Sequence, residues 1–117
     1  MQPTKLTIPK DRKSLKIGFK DAQDYEFTAE ILRVLSPSAE VQGHSPDQKK
    51  LISGKKNVEI MQVEPVGNYA VRITFDDMHD TGIYSWTFFR DLGETLDQKW
   101  TDYLAALDAK GLSREPG

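Results

Sequence analysis

The chain has 117 residues, 38% hydrophobic and 29% charged, with 16 basic and 18 acidic side chains and a net charge of −2. That length suits one domain with one core and is too short for two, and the near-balanced charge offers no global field for nucleic acid or an anionic membrane. With no cysteine, the chain cannot itself form disulfides, thiolate metal sites, iron–sulfur ligation or cysteine nucleophiles.

The first residues, MQPTKLTIPKDRK, lack the apolar run of a signal peptide, and no segment approaches a membrane span, so a cytoplasmic location is expected. Residues 1–13 read as a lead with a short strand at Lys5–Ile8. In Ser14–Phe19, Leu15, Ile17 and Phe19 alternate with Ser14, Lys16 and Gly18, the period of a half-buried strand. Tyr25–Thr28 is a third strand candidate after the polar turn Asp21–Asp24. Ala29, Ile31, Leu32 and Leu35 then follow a helical period that Pro37 stops.

From Gln42 to Asn57 the chain is polar, with Lys49, Lys50, Lys55 and Lys56, and only Leu51 and Ile52 suited to a core; it reads as a long mobile loop. Val58–Val66 and Tyr69–Asp76 form a hairpin, with Gly67-Asn68 placed as a two-residue type II′ turn. A short strand follows at Gly82–Ser85. Ser85 can cap a helix over Trp86–Leu92, with Gly93 as its C′ residue. A capping-box pattern, Thr95-x-x-Gln98, opens a last helix to Leu107, with Leu96, Trp100, Tyr103, Leu104 and Leu107 in one apolar stripe. The predicted fold is α+β: a small antiparallel sheet, a short helix after the early strands and two C-terminal helices packed on it. Residues 14–110 make the single domain and 111–117 a flexible tail.

The densest set of potential metal ligands is Asp76, Asp77, His79 and Asp80, on the turn after the hairpin. Carboxylates and an imidazole at this spacing can hold a divalent ion, the imidazole favouring zinc or iron. The competing reading is that Asp and His populate the turn because their short side chains hydrogen-bond the local backbone. His44 and His79 are the two histidines, neither opens an HxD pair, and an iron oxygenase triad is not assembled by this chain alone. No GxSxG, GxxxxGK[ST] or GxGxxG is present. The loop lysines lack interleaved aromatics, which argues against nucleic acid. Tyr84, Trp86, Phe88 and Phe89 are either core or a docking patch.

Four stretches carry a resemblance: Leu35–His44, Gly54–Ile60, the run EPVGNYAVRITFDD ending at Asp77, and HDTGIYSW from His79 to Trp86. Together they cover most of residues 14–92, and in them the chain resembles the gamma-butyrobetaine hydroxylase-like N-terminal domain family. In the larger hydroxylases of this kind, the resemblance implies, the domain precedes a catalytic domain and carries a structural zinc held by CxCxxC and a downstream histidine. The matching positions are Ser36, Ser38 and Val41, with His79 as the histidine, so a zinc site of the family type is expected to be lost. Relatives also show glycine where this chain has Met78, and a glycine there would serve a positive-φ turn. Related domains attached to P-loop ATPases of iron–sulfur assembly imply an adapter role.

The reading that follows is a non-catalytic binding module without a required cofactor. Its expected partner is another protein, an iron–sulfur assembly factor or an oxygenase, met through Tyr84, Trp86, His44, Lys55 and Lys56. The alternative is a metal-binding sensor or metal-dependent enzyme that uses the acids and His79 with zinc or iron.

Overall fold

Alternation of apolar and polar residues builds the strands. A computed structural model describes residues 2–116, leaving Met1 of the lead and Gly117 of the tail outside it. In it β1 (Pro3–Thr7), β2 (Ser14–Phe19) and β3 (Tyr25–Thr28) form an antiparallel sheet in the order β1-β2-β3. β2 and β3 have the predicted bounds, and Leu15, Ile17 and Phe19 are buried as the alternation requires. The Thr28 hydroxyl accepts the Ile31 amide and so caps α1 (Ala29–Val34), which ends ahead of Pro37.

The second sheet, also antiparallel, has the order β4-β5-β6, with β4 at Ile60–Val66, β5 at Ala70–Phe75 and β6 at Ile83–Ser85. Val66 faces Ala70, so three residues link β4 to β5 instead of the predicted two. Gly67 takes φ +54° there, a conformation that suits glycine. The chain closes with α3 (Trp86–Glu94) and α4 (Leu96–Ala109). The α+β architecture is as predicted, its strands divided between two sheets that share one core. Leu15, Ile17, Phe27 and Leu32 from the first half meet Ile60, Ile73, Phe75, Tyr84 and Phe89 from the second.

Several local expectations need correction. Gly93 lies inside α3, not at a C′ position. A β-carbon there would stand 2.5 Å from the Tyr25 ring, so this glycine permits close packing of the helix. Ser85 caps α3 as expected, its hydroxyl accepting the Phe88 amide. Thr95 does not form the capping box; its hydroxyl donates to the Asp91 carbonyl. Leu104 leaves the buried stripe, at 39% exposure, because the 103/107 edge of α4 faces inward.

The loop from 42 to 57 is more ordered than its composition suggests. One turn of helix, α2 (Ala39–Gln42), enters it with Val41 buried. Leu51 and Ile52 pack with Val34, Tyr103 and Leu107 in a second small cluster, and the Tyr103 hydroxyl donates to the Ile52 carbonyl at 2.7 Å. The tail expected to fray lies along this loop. Gly54 and Lys56 donate their amides to the carbonyls of Ser113 and Arg114 at 2.9 and 3.0 Å. Arg114 grips the buried Glu30 carboxylate with two nitrogens and lies over the Trp100 ring. A charge placed in a tail was the partner Glu30 needed. Among the described residues, no helix is long and apolar enough to cross a membrane.

Candidate functional site

β5 ends in a tight turn that disperses its acids. The Phe75 amide donates to the His79 carbonyl and the Met78 amide to the Phe75 carbonyl, both at 3.0 Å. Met78 sits at φ +74° with 82% of its surface exposed, the strained geometry that a glycine would relieve. Asp76 turns back and accepts the Glu59 amide at 3.1 Å. Asp80 points to solvent.

Asp77 faces the other way, into two cations. Arg33 Nε and Lys55 Nζ both lie 2.7 Å from its Oδ2, and its Oδ1 accepts the His79 amide at 3.1 Å. Burial alone would raise this carboxyl, yet the hydrogen bonds from Lys55 and Arg33 bring it down from 3.8 to about 2. Asp77 thereby ties α1, the loop and the β5–β6 turn together, and neither of its oxygens is free for an ion.

His79 is buried and reaches α2 and the segment before it. Its Nε2 lies 2.9 Å from Ser36 Oγ, and its Nδ1 lies 3.2 Å from Glu40 Oε2. Burial and the nearby Arg33 charge lower its pKa below 6.5, so the ring is neutral at pH 7. Neutral imidazole has one donor; the carboxylate fixes it at Nδ1, and Nε2 accepts the Ser36 hydroxyl proton. Glu40 Oε2 also accepts from the Thr81 hydroxyl at 2.9 Å. This gives a serine–histidine–acid chain in the order of a nucleophilic triad. The nucleophile position is sealed, however. Ser36 is 0% exposed, and a β-carbon on Gly82 would collide with its hydroxyl, so no substrate carbonyl can approach. The chain acts as an internal clasp between α2 and the turn. Glu40 was missed by sequence reasoning, since it lies 39 positions before His79 and no local pattern links them.

The positions matching the family's thiolates can be tested for zinc. Ser36 and Ser38 supply neutral hydroxyls and Val41 none, all three buried. The Ser36 hydroxyl is already committed to His79, and Ser38 Oγ is buried without a partner. Zinc takes thiolate, imidazole or carboxylate donors, so this set does not fit the ion. Asp76, Asp77 and Asp80 do not complete it, since they point to three other places. Among the described residues, no cluster of three or more histidines and acids is arranged to hold a metal.

The expected partner-binding side chains divide. Tyr84 is core: it is 0% exposed, donates to the Leu32 carbonyl at 2.6 Å, and has its pKa pushed up by burial. Its ring packs against Phe88 and Phe89 of α3. Trp86 is half-buried against Phe89, with its indole donating to the Asn68 carbonyl at 2.9 Å. Lys55 is occupied by Asp77, and Lys56 pairs with Glu115 at 2.9 Å. His44 is exposed.

Residues 6–90 match the family model described as gamma-butyrobetaine hydroxylase-like, N-terminal. A structure determined by NMR in solution is similar at a TM-score of 0.83 with 46% identity, covering 98% of this chain and 86% of that one. A second NMR structure is similar at 0.84 with 44% identity, covering 99% and 91%. A crystal structure of a protein of unknown function of the DUF971 family, from Acidithiobacillus ferrooxidans, is similar at 0.65 with 32% identity, covering 79% and 92%. A search of curated proteins finds no match.

Proposed function

This chain belongs to the gamma-butyrobetaine hydroxylase-like N-terminal domain family, and on that premise we propose that it is a non-catalytic adapter that works by contact with another protein. The observation that carries the reading is the internal use of the turn's chemistry. Asp77 is neutralised by Arg33 and Lys55, while His79 is held between Ser36 and Glu40. A side chain that spends its lone pairs and protons inside the fold is a poor general base or ligand.

What the same region does present is contact surface. Met78 and Ile83 are exposed apolar side chains at 82% and 39%, and His44, Lys49 and Lys50 stand exposed on the adjoining loop. The family's association with hydroxylases, and the adapter role inferred from its iron–sulfur relatives, make an oxygenase or an iron–sulfur assembly factor the partner class to seek.

The test is affinity capture with the full chain, wild type beside a Met78→Asp/Ile83→Asp double variant that retains the wild-type melting profile. A stoichiometric protein recovered by wild type and lost from the double variant is the expected result. Capture by neither, or turnover of a small molecule by the isolated chain, overturns the proposal, and identical capture by both overturns Met78 and Ile83 as its contact face.

A further inference from the structure

A cavity opens beside the segment that carries Ser36, lined there by Leu35, Pro37 and Gln42. It is an open groove of about 1100 Å³ between the end of α1, the loop at 49–51, and helices α3 and α4. Its floor is apolar, made by Val34, Leu35, Leu92 and Tyr103, with Phe88 and Leu51 half-buried at its sides. Along α4 the lining residues run from Lys99 to Lys110 with Ala106 and Ala109 between. Small side chains there leave room that larger ones would fill. At 1.5 Å per residue that span is about 16 Å, the length of a three-turn helix.

The charges on the walls are arranged by side. The loop wall carries only bases, Lys49 and Lys50; the α3 wall carries only acids, Asp91 and Glu94; α4 carries both signs. The molecule forms ion pairs at several other places. Among the described residues, none of them uses a charged group of this groove.

We infer that this groove receives an amphipathic α-helix of a partner protein, whose apolar stripe is flanked by acids on the side facing Lys49 and Lys50 and by bases on the side facing Asp91 and Glu94. The inference rests on the contact reading above and names the face and the partner's form. A helix is favoured over an extended peptide by the backbone. The walls are mainly helices, whose amides and carbonyls are consumed internally, so they offer no strand edge to an extended chain. A helix satisfies its own backbone and needs only an apolar seat. The opposed wall charges then set its rotation and direction, since unlike charges across an interface fix register.

The experiment is selection from a displayed library of 14-residue helical peptides on the full chain, with counter-selection on Ala106→Trp, which fills the groove. Ala109→Trp serves as a second filling variant at a more exposed position, and urea melts establish that each variant is folded. The expected winners carry apolar residues at i, i+3 or i+4, and i+7 with an acidic and a basic flank, and either filling variant abolishes their binding. Lys49→Glu/Lys50→Glu should weaken them on the order of tenfold, and exchanging the acidic flank for lysine should restore binding to that variant.

Winners without a helical period, winners that bind a folded filled variant equally, or no enrichment overturn the inference. So does a concentration-dependent dimer that Ala106→Trp abolishes, because the occupant is then a second copy. A fluorescent fatty-acid probe that saturates the groove while no peptide is enriched overturns it in favour of a small-molecule pocket. Capture of a partner that is lost from Met78→Asp/Ile83→Asp but unchanged in both filled variants would defeat the groove and leave the adapter reading standing.

Discussion

Replacing Asp77 by asparagine preserves shape and removes the charge that Arg33 and Lys55 share. The side chain is 18% exposed and its two partners 12% and 25%, so the pair is neither fully solvated nor fully buried. A carboxyl held at about 2 instead of 3.8 corresponds to about 2.4 kcal/mol at 1.36 kcal/mol per pKa unit, and solvent screening at a partly open site reduces this to about 1–2 kcal/mol. The folded pKa lies below the unfolded one, so the contribution is complete above pH 3.8 and is lost as pH falls toward 2. Urea unfolding of wild type and Asp77→Asn at pH 7 should show that gap with an unchanged m value. At pH 2.5 the gap should shrink to about one third, since most of the wild type's advantage has been protonated away. Equal midpoints at pH 7, or a gap indifferent to pH, would refute the assignment of Asp77 as the clamp.

Met78→Gly should stabilise the protein by roughly 0.5–1 kcal/mol, relief of positive-φ strain outweighing the glycine's extra unfolded-state freedom; an unchanged or lower melting temperature contradicts the strain at φ +74°. Gly93→Ala should cost roughly 1–3 kcal/mol by overpacking against Tyr25, although alanine is the better helix former by about 1 kcal/mol; a gain in chemical-denaturation stability would show the close approach to be soft. Arg114→Ala strands the buried Glu30 carboxylate, with a cost of about 3 kcal/mol and faster proteolysis at 111–116; a wild-type digestion rate counts against the docked tail. His79 has its folded pKa below 6.5, so stability present above pH 6.5 falls as the ring is forced to protonate on acidification. His79→Gln should flatten that limb below pH 6.5 in thermal melts, and an unaltered limb would place the titration elsewhere.

The strands were legible because their physics is local. Leu15, Ile17 and Phe19 fix a face by alternation, and the hairpin has the same period with a glycine at its bend. The family was legible in EPVGNYA and HDTGIYSW, stretches long enough to be specific. What stayed hidden depends on contacts distant in sequence. Nothing in the tail shows that Arg114 answers a buried Glu30, and nothing around Gly93 shows that Tyr25 lies against it. The α2 turn has only four residues, too few for a period. The acids read as a cluster because sequence gives spacing without direction; the turn sends Asp76, Asp77 and Asp80 to different neighbours. Tyr84 read ambiguously for the same reason, since alternation could not say which side of β6 the core occupied.

The central claim is that Asp77 and His79 are spent on the fold and the chain acts by contact. Metal analysis of protein purified without chelator or nickel affinity, followed by calorimetric titration with zinc and with ferrous iron under anaerobic conditions, tests it most directly. The account predicts far less than one equivalent bound and no saturable heat at micromolar concentration. One retained equivalent, or a micromolar isotherm lost in both Asp77→Ala and His79→Ala, would contradict it.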